Sequence, residues 1–164
     1  MWFGVGTVSG VATSIDWVLL AYRLPRQPST TRVKVWRKLR RLGVVQLVDG
    51  LVALPADGRT REQLEWVAEE VTDAGGEATV WLGRPGSRAQ ERMLAERMAE
   101  AVRSDYLAVL AAARETGDEG GARTVARLRR ELHRIGQRDF FPPPERELAR
   151  LAVEDLAGAA GVAR

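Results

Sequence analysis

The alternation of apolar and polar residues along the chain predicts an α+β domain in its first half. Short apolar runs are typical of strands, and two longer segments repeat their apolar residues with the helical period. The predicted order is strand, helix, strand, strand, helix, strand, and right-handed crossovers make this a ferredoxin-like βαββαβ sandwich with both helices on one face. The predicted elements are a strand at Asp16–Leu24, a helix from about Thr30 to Leu42, strands VVQLV and LVALP around Asp49-Gly50, a helix from Thr60 and a strand at Glu77–Leu82.

Polar residues and glycines predict where these elements begin and end. Asp49-Gly50 between two apolar runs is a strong hairpin signal, because a tight turn needs residues that tolerate positive φ. Ser29 or Thr30 is predicted to cap the first helix, which ends at Gly43. The segment Thr60-Arg61-Glu62-Gln63 fits a capping box that opens the second helix.

The pattern changes to helices alone after Pro85-Gly86. Three amphipathic helices are predicted, at about Arg88–Glu115, Ala122–Ile135 and Glu145–Leu156. Because the strand at Asp16–Leu24 is apolar on both faces, we expect the open face of the sheet to be covered by side chains of Leu94–Ala113 or by a second copy of the chain. The predicted divisions are a tail at residues 1–15, the ferredoxin-like domain at 16–84, a helical appendage of about three helices at 85–158 and a tail at 159–164.

Charge is unevenly distributed, although the net charge of the 164 residues is only +3. Residues 17–48 contain eight Arg or Lys and no acid, whereas residues 49–120 contain eight bases against fifteen acids. Residues 121–138 are again basic, with six bases and one acid. Two basic segments on an acidic body indicate a directional electric field.

The first basic segment is predicted to bind DNA. On a helical wheel Lys34, Arg37, Lys38 and Arg41 fall within about 100° of one another, and apolar residues cover the other side. Trp36 belongs to that apolar side, as a core residue. Cations on a single helical stripe can converge on one phosphate backbone, although such a stripe is also typical of a solvated helix face. The predicted DNA-binding residues are Arg23, Arg26, Lys34, Arg37, Lys38 and Arg41.

Two weaker candidate sites accompany this helix. Its first turn has free N–H groups with positive potential, which suits an oxyanion effector or a DNA phosphate, although ordinary helix capping explains the same residues. The oxyanion-binding residues would be Ser29, Thr30, Thr31 and Arg32. A second cationic stripe is formed by Arg123, Arg127, Arg130 and Arg134.

The residues that usually carry catalysis or bind metal are scarce. The chain has no Cys and one His, His133, so neither a zinc site nor thiol chemistry is expected. Adjacent acids such as Glu69 and Glu70 point about 100° apart on a helix and do not form an acid/base couple. We therefore expect no catalytic residue, no metal site and no cofactor. No apolar stretch approaches the roughly 20 residues of a membrane span, and a cytoplasmic location without a membrane partner is expected.

One long stretch carries a family resemblance. WVLLAYRLPRQPSTTRVKVWRKLRRLGVVQLVDGLVALP, then TREQLEWVAEEVTDAGGEATV and later RDFF, resembles the N-terminal domain of the chromate-resistance regulator ChrB over roughly residues 16–158. The resemblance implies a bacterial cytoplasmic protein that controls a chromate-efflux operon by binding DNA. Members of that family carry a further C-terminal domain, so chromate sensing could belong to that domain.

The core is also distantly similar to the ferredoxin-like middle domain of the repressor PaaX and to the CRISPR spacer-acquisition nucleases. In those nucleases an Asp closes the first strand, where this chain has Tyr22-Arg23-Leu24. Two rival interpretations remain open. One is an interaction or homodimerisation module that does not touch DNA, and the other is a residual nuclease or chromate reductase.

Overall fold

A four-stranded antiparallel sheet organises the first half of the chain in the computed structural model, which describes residues 14–116 and 121–161. The strand order is β2-β3-β1-β4, and each neighbouring pair is antiparallel. The sheet elements are β1 (Trp17–Arg23), α1 (Ser29–Leu42), β2 (Val45–Val48), β3 (Leu51–Pro55), α2 (Gly58–Asp73) and β4 (Glu77–Gly83). The elements that follow are α3 (Arg88–Thr116), α4 (Ala122–Gly136) and α5 (Glu145–Ala159). The predicted α+β class and the hairpin at Asp49-Gly50 are confirmed.

One face of the sheet packs against α1 and α2. The ladder places Val18 opposite Leu54 and Leu20 opposite Val52, so these four side chains share a face, and all four are fully buried. The buried side chains of the two helices belong to the same core: Val35 and Leu39 from α1, and Leu64, Val67 and Val71 from α2. The helical period places these residues on one stripe of each helix, as the sequence predicts.

The opposite face of the sheet is only partly covered. Leu94 and Met98, near the start of α3, join the core that contains Trp17 and Ala53. Beside them lies an open apolar cavity of about 560 Å³, and Trp81 on its wall is 59% exposed. The expected cover is therefore right for Leu94 and Met98, whereas from Val102 onward α3 packs elsewhere, since its buried side chains there belong to a second core with α4 and α5.

The second core joins α3 to α4 and α5 through Tyr106, Leu110, Leu128 and Val153, among others. The loop between α4 and α5 leads back to the sheet, where the ring of Phe141 stacks on Trp17 with centroids 6.0 Å apart. The hydroxyl of Tyr106 donates a 2.7 Å hydrogen bond to Asp139 in the same loop. Helix α3 therefore contributes side chains to both cores. The predicted domain boundary between residues 84 and 85 stays a prediction.

Two predicted caps are wrong. The residue before the first turn of α1 is Pro28, in extended conformation and without a side-chain cap, and Ser29 is already helical. Helix α2 begins earlier than predicted: Asp57 is its N-cap and accepts a 2.7 Å hydrogen bond from the backbone of Thr60. Thr60 closes a capping box with Asp57, and its buried hydroxyl donates to the carbonyl of Pro55, so it is the partner of the cap and not the cap itself. Of the predicted N-terminal tail, residues 1–13 lie outside the described residues.

Candidate nucleic-acid interface

Helix α1 lies on the sheet with one apolar stripe inward and one basic stripe outward. Val35 and Leu39 have no exposed surface, and Trp36 is half-buried against the same core. At 100° per residue the side chains of Arg37 and Arg41 project on the side of the helix opposite to Val35 and Leu39, and Arg40 stands 60° from Arg37. Packing of the apolar stripe therefore fixes which cations face solvent.

Arg37, Arg40 and Arg41 form what we call the arginine face. All three are exposed, and within the described part of the chain none of them has an ion-pair partner. They line an open groove along α1 together with Ser29, Thr30, Val33 and Lys34. Arg40 and Arg41 stand in the last turn, where the partial negative charge of the helix end favours cations.

The two lysines of the predicted stripe are already engaged. Nζ of Lys34 and Nζ of Lys38 lie 2.7 Å and 2.9 Å from the carboxylate oxygens of Glu70 on α2. Hydrogen bonds from Lys34 and then Lys38 hold the pKa of Glu70 below its usual value. One carboxylate thus neutralises part of the predicted stripe and links α1 to α2.

The remaining predicted DNA-binding residues flank the helix on its N-terminal side. Arg23 is the last residue of β1, and its guanidinium lies 2.9 Å from Glu77 in an ion pair open to solvent. Arg26 is exposed in the loop before α1. The structure therefore places Arg23 and Arg26 at the far end of the helix from Arg40 and Arg41.

The predicted oxyanion residues occupy the first turn of α1. Ser29 and Thr30 are exposed, Thr31 is half-buried, and no acidic residue stands in this turn. Arg32 is also exposed, but it lines a separate groove with Tyr22, Trp36 and Asp49. The pKa of Tyr22 is raised by burial and by the nearby charge of Asp49. Of the four predicted residues, Ser29 and Thr30 lie on the groove of the arginine face.

Sequence reasoning missed Arg40 as a member of the exposed face. The predicted stripe consists of Lys34, Arg37, Lys38 and Arg41 and leaves out Arg40, although Arg40 stands only 60° from Arg37 on the wheel. The signal that could have found it is the position of the fully buried stripe, because Arg40 stands 140° from Val35 and 100° from Leu39 and so lies outside that stripe.

The second predicted stripe, on α4, is also partly paired. Arg134 contacts Glu131 at 3.1 Å. The neighbouring Arg129 contacts Glu154 on α5 at 2.9 Å. Arg123, Arg127 and Arg130 are exposed without an ion pair among the described residues.

Residues 14–116 and 121–161 contain no group of three His, Asp or Glu side chains that could hold a metal ion. No helix in these ranges is long and apolar enough to cross a membrane.

Comparison with known families shows the family of the chain. The family model described as "Protein ChrB, N-terminal" matches residues 32–119, more than half of the chain, including α1 from Arg32 onward. The chain belongs to the ChrB N-terminal family. Protein ChrB of Cupriavidus metallidurans is 31% identical to it over 152 residues. The aligned region covers 87% of this chain but 46% of that relative, so this ChrB N-terminal chain spans about half the length of the relative it matches. No solved structure matches it.

Proposed function

We propose that this ChrB-like chain is a non-enzymatic, cytoplasmic regulatory module that binds DNA phosphates in the control of chromate-resistance genes. The observation that carries the proposal is the arginine face: three exposed guanidinium groups on one helix, with no acid paired to them in the described chain. Arginine has a planar fork of donors that matches phosphate oxygens, and phosphate contacts dominate the affinity of DNA-binding proteins. The resemblance of the sequence to ChrB regulators supports the same function.

The proposed footprint follows the groove of α1. Arg37, Arg40 and Arg41 contact successive phosphates, while Arg23 and Arg26 extend the positive potential past the start of the helix. Lys34 and Lys38 contribute less, since Glu70 already binds them. Phosphate contacts position a protein without reading sequence, so this module alone is expected to discriminate little between duplexes.

The test is the salt dependence of binding to a random duplex, measured by fluorescence anisotropy. Replacing Arg37, Arg40 and Arg41 with Gln should weaken binding strongly and reduce the log–log salt slope by about 3, because each lost phosphate contact lowers it by about 1. The control variant replaces Arg88, Arg92 and Arg114, three exposed arginines of α3, and should keep most of the slope. Equal slopes for the two triple variants would refute the proposed footprint.

The first turn of α1 is also proposed to bind an oxyanion effector through Ser29, Thr30, Thr31 and Arg32. The absence of a side-chain cap on this turn supports the proposal, because its backbone N–H groups are then available to a ligand. A chromate titration followed by the amide resonances of Ser29 and Thr30 tests it, and unchanged resonances would contradict it.

A second candidate function is homodimerisation. β4 is an edge strand of the sheet, and it exposes Trp81 and Leu82 at 59% and 58%. Exposed apolar side chains on an unpaired edge favour pairing with another chain. Sedimentation equilibrium tests this: Trp81→Glu should shift a dimer to monomer, whereas a parent that is monomeric at high concentration would eliminate the alternative.

We also propose that the fold is ferredoxin-like and that the chain has no catalytic activity. The strand order β2-β3-β1-β4 supports a ferredoxin-like sandwich, which a solved structure with two right-handed crossovers would establish. For catalysis, Arg23 ends β1 where the distantly similar nucleases carry Asp. Purified protein should neither cleave DNA with Mg²⁺ or Mn²⁺ nor reduce chromate with NADH.

A further inference from the structure

A small cavity behind the arginine face gathers three arginines from separate parts of the chain. It has a volume of about 200 Å³ and lies between the end of α1, strand β2 and the middle of α3. Arg40 reaches it from α1, Arg97 from α3 and Arg138 from the loop after α4. Residues this far apart in sequence converge only because the two cores are packed together.

Two of the three guanidinium groups are held in place by one hydrogen bond each. Nη2 of Arg97 donates to the carbonyl oxygen of Gln46 at 2.6 Å. Nη2 of Arg138 donates to Asp105 at 2.8 Å. A guanidinium has five N–H donors, so each group keeps several for a ligand. Arg40 makes no ion pair within the described part of the chain.

The backbone of Arg138 is fixed against the end of α1. Gly43 turns there with φ +82°, and a Cβ at this position would lie 2.6 Å from Cβ of Arg138. The glycine therefore permits the close approach that brings Arg138 beside Arg40. Such a tight contact limits the freedom of the cavity wall.

The cavity is positive and has an apolar floor. None of the described residues that line it carries a carboxylate, and the acid beside it, Asp105, is bound to Arg138. Val45, Met98 and Val102 form buried parts of the lining. Electrostatic attraction is stronger next to apolar surface than in open water, so an anion here would be held more firmly than on the open helix.

We propose that this cavity binds one tetrahedral oxyanion, with Arg40, Arg97 and Arg138 as its ligands. The forked donors of arginine match the oxygen pairs of phosphate and sulfate, and the three arginines together with Asp105 carry a net charge of +2, which matches a doubly charged ion. At about 30 Å³ per water molecule the cavity has room for an ion of this size. The site is distinct from the first turn of α1, because it lies at the opposite end of that helix.

The oxyanion can be a free ion or a phosphate of bound DNA. Arg40 lines both the cavity and the groove of the arginine face, so either source can reach it. A free ion would withdraw Arg40 from DNA, and by reciprocity DNA would weaken binding of the ion by the same factor. This coupling rests on the proposed DNA-binding function, whereas the anion site itself does not.

The first experiment titrates the full chain with sodium sulfate at constant ionic strength and follows the side-chain Nε–H resonances of arginine by NMR. The signals of Arg40, Arg97 and Arg138 should shift together and saturate. Arg97→Gln should lower the affinity for sulfate about tenfold or more, since a charge-assisted hydrogen bond contributes roughly 1.5–3 kcal/mol. Arg92→Gln, a matched change on the same helix and outside the cavity, should leave it unchanged. Shifts that do not saturate, or equal affinities for the two variants, would overturn the proposal.

The second experiment identifies the source of the oxyanion. If the ion is free, Arg97→Gln binds random duplex DNA as the parent does, and sulfate weakens DNA binding of the parent more than of the variant. If the phosphate comes from DNA, Arg97→Gln lowers both DNA affinity and the salt slope, and duplex shifts the Arg97 resonance. The proposed DNA-binding function of the arginine face can fail independently of the anion site. In that case replacement of Arg37 and Arg41 leaves DNA binding unchanged, while the chain still binds sulfate.

Discussion

At the scale of single residues, Glu70 controls how much of the basic charge on α1 is available. Its carboxylate contacts both Lys34 and Lys38. Glu70→Gln should therefore release two lysines beside the arginine face, raise DNA affinity and steepen the salt slope by about 1 to 2. Glu69→Gln removes the same charge from the next residue, which is exposed and makes no ion pair in the described chain. If the two variants bind DNA with the same slope, the Glu70 contacts do not restrain the lysines.

The same carboxylate makes stability depend on pH in a defined direction. The folded-state pKa of Glu70 is lowered from 4.5 by the hydrogen bonds of Lys34 and Lys38. The stabilisation is thus fully present above the unfolded pKa and is lost as the pH falls through the lower folded value. Glu70→Gln should be less stable than the parent by about 1 kcal/mol or less at pH 7, with the difference shrinking below pH 4.5. Urea unfolding at pH 7 and pH 3.5 measures this, and a constant difference would contradict it.

At Gly43 the end of α1 closely approaches Arg138 in the loop after α4. Gly43→Ala puts a Cβ against Arg138 and forces alanine into the left-handed conformation of residue 43. We therefore expect the free energy of unfolding to fall by roughly 1–3 kcal/mol. Gly136→Ala is the control. Gly136 is helical, and a Cβ added there would meet no atom within 4 Å, so this change should leave the stability unchanged or raise it slightly. Equal denaturation midpoints for the two variants would show that the contact yields easily.

At the scale of elements, the N-cap of helix α2, Asp57, is expected to contribute to stability. Asp57→Ala removes the acceptor for the backbone of Thr60 and should cost about 1 kcal/mol. Asp73→Ala, at the other end of the helix, should be neutral or stabilising, since an acid near the C-terminus opposes the helix dipole. Thermal unfolding of both variants checks the difference, and equal losses would rule out the capping role.

The elements themselves could be predicted from the sequence because their signals are local. The apolar period places Val35 and Leu39 inside, and Asp49-Gly50 marks the hairpin. The caps could not be assigned in the same way: Thr60 has the right chemistry for an N-cap, but the chain enters α2 three residues earlier. The pairing of Lys34 with Glu70 depends on how α1 packs on α2, which no local pattern contains.

The cavity lined by Arg40, Arg97 and Arg138 could be predicted from the sequence even less than the caps. The sequence pattern predicts Arg97 as an ordinary exposed residue of an amphipathic helix and Arg138 as part of a loop. Their approach to Arg40 depends on where α3 crosses the sheet and on the contact at Gly43. Sequence reasoning finds positive segments, but packing decides which cations meet.

At the scale of the whole molecule, the two cores should unfold together because α3 belongs to both. The described tryptophans, at positions 17, 36, 66 and 81, all lie in the sheet half, whereas most helical signal comes from α3, α4 and α5. Fluorescence and circular dichroism therefore report on different halves. Leu128→Ala, buried in the helical core, should destabilise the chain by about 2–5 kcal/mol and shift both midpoints equally. Leu148→Ala, 49% exposed, is the control and should shift neither. A fluorescence midpoint that stays in place would mean that the cores are independent.

Because α3 packs in both cores, it also determines where this chain can be joined to that of a relative in a chimera. A chimera joined in the loop before α3 would take Leu94 and Met98 from a different parent than Trp17 and Ala53, and so would break the packing of one core. A crossover inside the helix, after Met98 and before Val102, keeps the buried residues of each core together, although Phe141, which stacks on Trp17, then comes from the other parent. The natural seam of the molecule is therefore a single turn in the middle of its longest helix.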